Sequence, residues 1–144
     1  MIGILVLGQK DFAHGLISSV VHTFGTHPPQ LEAAAVDFDH TPEAVGEMIA
    51  RHVRALDQGD GVLILADIYG TTHTNLACRL LKRGHIELVS GANLPMLLRV
   101  LNYRNLRLDD VIDRALAGGC GGIVCAANPG DTPPRRDNGK EAHR

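Results

Sequence analysis

Two short stretches hold residue types that can do chemistry. ADIYGTTHTNLA, residues 66–77, carries a carboxylate at Asp67, hydroxyls at Thr71 and Thr72, and an imidazole at His73. A carboxylate at a strand end can orient an imidazole, and hydroxyls with free backbone N–H groups at a helix start attract an anion such as a phosphoryl group. GQKDFAHG, residues 8–15, offers Gln9, Lys10 and His14. Lys10 would draw phosphate or carboxylate toward the turn, and His14 supplies a second imidazole. These residues also have plainer uses: Asp67, Thr71, Thr72, His73 and His14 can each cap a turn or a helix, and a lysine at a turn is usually solvated.

The elements that must position these residues are legible from period. Residues 2–7 (IGILVL), 31–37 (LEAAAVD), 61–66 (GVLILA) and 86–89 (IELV) are short apolar runs of the kind that form strands buried on both faces. Between them, Phe12, Leu16, Val20 and Phe24 keep a helical stripe, as do Val45, Ile49, Val53 and Leu56. Asp11 reads as the start of the first helix, and Thr41–Pro42 as a cap with proline at the first helical position. Further helices are expected over about 74–83, 95–103 and 108–117, the last stopped by the glycine cluster GGCGG, with GIVCAA at 122–127 as a final strand. The alternation predicts an α/β fold: a doubly wound, mostly parallel sheet flanked by helices. With strand order 2-1-3-4, a ligand crevice opens between strands 1 and 3, lined by the loops Gly8–Asp11 and Asp67–Asn75.

Composition narrows the function. The chain has 144 residues, 44% of them hydrophobic, and a net charge of -2, enough apolar material for one domain with a packed core. The near-neutral charge and 3% aromatic content give no footprint for nucleic acid. Three cysteines, Cys78, Cys120 and Cys125, with no basic leader, fit reduced thiols in a cytoplasmic protein. No apolar run reaches the roughly 20 residues of a membrane span, so no direct insertion is expected. His22, His27, His40, His52, His85 and His143 lack metal-ligand spacing, and Cys120 with Cys125 has no second pair, so neither metal nor cofactor is expected. GxGxxG and the P-loop pattern are absent. Residues 1–127 read as the domain. Residues 128–144, with three prolines, many charges and no aliphatic side chain larger than alanine, read as a disordered tail.

Three collinear segments carry a family resemblance. GILVLGQKDFAHGL is similar to a T-H-G-x-F-A-x-G-L run, LADIYGTTHTNLACRLL to D-x-x-G-G-[ST]-P-x-N-x-A, and VSGANLPMLLRVL to V-x-G-x-N-L-P-M-L. Together they resemble the IIA domains of the mannose and fructose-type bacterial phosphotransferase system, over about residues 1–126. The resemblance implies a phosphoryl-carrier IIA component of a phosphoenolpyruvate-dependent sugar phosphotransferase system. Such a carrier takes phosphoryl from a histidine-phosphorylated, HPr-like carrier protein and passes it to a IIB or regulatory partner. It further implies a homodimer formed through the final strand, here GIVCAA. The register set by Phe12, Ala13, Gly15 and Leu16 puts Gln9 where the family has its phosphorylated histidine, and Lys10 where a glycine follows. An amide is no nucleophile at neutral pH and cannot shuttle protons. His73 replaces the family's proline, and His14 stands where glutamate is common. The catalytic candidates are therefore Gln9, Asp67, His73 and His14, with His73 ahead of His14 as a displaced acceptor, and Lys10, Thr71 and Thr72 as phosphate-binding groups. The alternative is a pseudo-IIA module, not phosphorylatable, that acts by binding partners.

Overall fold

Valine, isoleucine and leucine at successive positions leave a strand no wet face, so each such strand needs helices on both sides. The computed structural model, which describes residues 1–127, meets that demand. Four strands, β1 (Gly3–Gln9), β2 (Leu31–Val36), β3 (Val62–Ala66) and β4 (Ile86–Ser90), pair in parallel in the order β2-β1-β3-β4. Five helices surround them: α1 (Lys10–Phe24), α2 (Pro42–Leu56), α3 (Thr72–Cys78), α4 (Leu94–Tyr103) and α5 (Leu108–Gly121). Alternation along the pleat splits the apolar residues into two cores. Ile4, Val6, Leu63, Leu65 and Val89 face α1, α4 and α5, whereas Leu5, Leu7, Val62 and Ile64 face α2 and α3. The expected α/β class and strand order are as observed, and the reversal of order between β1 and β3 opens at their carboxyl ends.

Local expectations hold in one place and shift in others. Thr41 caps α2 through a hydrogen bond from the Ala44 N–H at 3.1 Å, with Pro42 as the first helical residue. Asp11 does not precede α1 but lies in its first turn, because β1 passes into the helix with Gln9 as the junction. α3 is shorter than the expected 74–83: its ladder gives way to a turn at Arg79–Leu81, and Lys82 pairs instead with Ile86.

The glycine cluster does not stop the fifth helix. α5 runs through Gly118 and Gly119 to Gly121 because these residues are pressed against α4. A Cβ at Gly118 would stand 2.7 Å from the Arg99 Cβ, and one at Gly119 would stand 2.7 Å from the Met96 Cε. The glycines serve close helix packing, a use that outweighs their low helix propensity. Residues 122–127, expected as a last strand, are irregular and exposed, and the sheet among the described residues has four strands. With α5 extended to Gly121, too little of the described chain remains to return to a sheet edge. The proposed tail, 128–144, lies outside the described residues.

Candidate functional site

The carboxyl ends of β1 and β3 meet through one side chain. Register sets Leu7 opposite Ala66, so the next residues, Gly8 and Asp67, adjoin across the two strands. A Cβ on Gly8 would lie 3.0 Å from the Asp67 Cγ and 3.0 Å from the Phe12 Cδ2. Glycine there lets the carboxylate turn in over β1. Asp67 then accepts the backbone N–H of Gln9 on Oδ2 at 3.0 Å and that of Ile68 on Oδ1 at 2.7 Å.

The β3–α3 loop brings an imidazole to the same carboxylate. Gly70, at φ 93°, makes the turn that an L side chain would resist. Thr71 begins α3 with a reciprocal cap, its hydroxyl accepting the Thr74 N–H at 3.3 Å while the Thr74 hydroxyl accepts the Thr71 N–H at 3.0 Å. Two residues on, His73 donates from Nε2 to Asp67 Oδ1 at 2.8 Å. Both side chains are largely enclosed, His73 at 13% and Asp67 at 14% exposure. Burial, the largest single influence, pushes the Asp67 carboxyl up. The hydrogen bond from His73, the N–H groups of Gln9 and Ile68, and the His73 charge together outweigh it and hold the carboxyl below the usual 3.8. At neutral pH the pair is thus a fixed carboxylate holding one edge of an imidazole.

The other candidates divide. Gln9 reaches Asp67 through its backbone N–H, while its side chain makes no capping bond to α1. Lys10 is exposed and pairs loosely with Asp37, Nζ to Oδ2 at 3.8 Å, across from β1 to the end of β2. Thr71 spends its hydroxyl on the cap, and Thr72 is exposed beside His73. His14 stands exposed farther along α1 and forms no hydrogen bond with Asp67 or His73 among the described residues.

The geometry adds residues that the sequence reading passed over. A cleft of about 340 Å³ runs between the end of β2 and the start of α3, and His73 and Thr72 form one wall of it. Asp37, Phe38 and His40 form the other, with Phe38 93% exposed at the rim. The signal for these three was topological, since they directly follow a parallel strand adjacent to β1. Gly8 was visible in the sequence, but its need to admit Asp67 was not. Among the described residues, no group of three or more His, Cys, Asp or Glu side chains could hold a metal ion, and no helix is long and apolar enough to cross a membrane.

Comparison with known proteins bears on this arrangement. The family profile described as "PTS system fructose IIA component" matches residues 3–116. The chain belongs to this family. It is 29% identical over 121 residues to the PTS system fructose-specific EIIA component of Bacillus subtilis, an alignment covering 81% of each chain. Among solved structures it superposes on the phosphotransferase component EIIA from Streptococcus agalactiae with a TM-score of 0.80 and 25% identity, covering 89% of this chain and 99% of that one. The mannose/sorbose-specific IIA subunit from Enterococcus faecalis, at 14% identity and a TM-score of 0.76 over 86% of this chain and 93% of that one, shares the fold. The protein is thus an EIIA-type component of a sugar phosphotransferase system. Membership implies interaction with HPr and EIIB partners. The imidazole beside the strand-end carboxylate belongs to His73.

Proposed function

We propose that this EIIA is a working phosphoryl carrier whose acceptor is His73, displaced from the first loop to the second, with Asp67 as its orienting carboxylate. The observation that carries the reading is the 2.8 Å hydrogen bond between His73 Nε2 and an Asp67 carboxylate that backbone N–H groups keep ionised. An imidazole so held is fixed in orientation, and its cationic phosphorylated form gains a neighbouring negative charge. Lys10, with Thr72, is assigned to the incoming phosphoryl group, and Gln9 acts through its backbone rather than its amide. The donor is a histidine-phosphorylated HPr-like carrier protein in the cytoplasm, and the recipient a IIB or regulatory partner.

A homodimer belongs to this reading. Ile123 and Val124 are exposed at the end of α5, where a second copy would cover them. Light scattering at micromolar concentration should show twice the monomer mass, and a monomer would contradict it.

The deciding experiment is incubation with phosphorylated carrier protein. The native chain should take an acid-labile label that His73→Ala abolishes without unfolding the domain. If the native chain takes no label while Gln9→His does, the carrier reading falls and the module acts by binding partners alone.

A further inference from the structure

The two nitrogens of His73 have different surroundings, and the difference assigns a task to each. Nε2 lies 2.8 Å from Asp67 Oδ1. That carboxylate also accepts the N–H groups of Gln9 and Ile68, and an ionised carboxylate can only accept. The hydrogen on this contact therefore belongs to Nε2, and in the neutral ring the free lone pair lies on Nδ1. Nδ1 has no hydrogen-bond partner among the described residues. The His73 side chain keeps 13% exposure. His73 also lines the cleft formed with Asp37, Phe38 and His40.

We propose that His73 accepts the phosphoryl group on Nδ1, delivered from the cleft between the end of β2 and the start of α3. This rests on the reading of His73 as the acceptor and adds the atom and the direction of approach. The donor is a phosphohistidine protonated on its other ring nitrogen. The Nδ1 lone pair attacks phosphorus, the new N–P bond forms as the donor's P–N bond breaks, and that electron pair stays on the donor ring, which leaves as neutral imidazole. His73 becomes an N-phosphoryl imidazolium that keeps its Nε2 hydrogen on Asp67, so no proton leaves the site during transfer. The positive ring and the Asp67 carboxylate then face each other in an enclosed setting, where opposite charges interact more strongly than in water. The partner must present its phosphohistidine toward the exposed ring of Phe38, on the side of the sheet edge formed by β2.

Two spectra test this on the full chain. In the unphosphorylated protein, long-range proton–nitrogen correlation should find the neutral His73 ring protonated on Nε2 and bare on Nδ1; the opposite tautomer overturns the assignment without any donor being needed. After incubation with phosphorylated carrier protein, the same experiment should find the phosphoryl group on Nδ1. A phosphoryl group on Nε2 of His73 overturns this inference and leaves His73 as the acceptor, whereas label found anywhere other than His73 overturns both. Asp67→Ala removes what distinguishes the two nitrogens, so label is expected on both. A label that stays wholly on Nδ1 in that variant would overturn the role of Asp67 in choosing the nitrogen.

Discussion

The β1–α1 junction and the β3–α3 loop face the same crevice but are built differently. At the first, strand passes into helix with no intervening turn: Gln9 closes the ladder, Lys10 opens α1, and the junction has no side-chain cap. At the second, Gly70 bends the chain, Thr71 and Thr74 cap each other, and a carboxylate and an imidazole lock together in a largely enclosed place. The organised side chains are on the second. A phosphoryl site needs an imidazole whose orientation is fixed before the donor arrives, and the β1–α1 junction supplies a backbone N–H to that end rather than a ring.

Removing one ring has the largest expected effect. His73→Ala should lower the rate of label uptake by about 1,000-fold or more, since a nucleophile has no substitute; Gln9→Ala, measured beside it in the same quench assay, should stay within about threefold, the peptide N–H being retained. Next is the carboxylate. Asp67→Asn keeps an acceptor for Nε2 but loses the charge opposite the imidazolium, and uptake should fall about 10-fold to 100-fold.

Asp67 also links the site to pH. Its pKa in the folded chain is lower than the ordinary 3.8. A carboxyl depressed by folding adds stability above its unfolded pKa and loses it as pH falls through the folded value. Denaturant titrations of native and Asp67→Asn chains should therefore differ most at neutral pH, and the gap should close below about pH 4; a gap that widens on acidification would contradict the hydrogen-bond account of Asp67. The cap of the second loop comes after this. Thr71→Ala should cost about 1 kcal/mol in denaturant unfolding and shift His73 relative to Asp67. Smallest of all is the removal of residues 129–144, proposed to lie outside the domain, which should leave the melting temperature within about 3 °C.

Much of this architecture was legible because continuous apolar strands and amphipathic helices alternate with few exceptions. Asp67 and His73 were legible too, as a carboxylate at a strand end and an imidazole near a helix start. Their contact was not, because it depends on Gly8 leaving room for the carboxylate and on Gly70 and Thr71 setting the start of α3. GGCGG misled for a related reason. A glycine that ends a helix and a glycine that admits a neighbouring helix look alike in sequence, and only the approach of α4 to Gly118 and Gly119 separates the two uses. Phe38 and His40 enter the site through topology, their loop following the strand beside β1.

We propose that the phosphoryl acceptor is His73, on the second loop. Mapping the acid-labile phosphate by peptide mass spectrometry, on the native chain incubated with histidine-phosphorylated carrier protein, tests it most directly. The phosphate is expected on the peptide bearing His73; a phosphate on His14, or a native chain that stays unlabelled while Gln9→His is labelled, would contradict this.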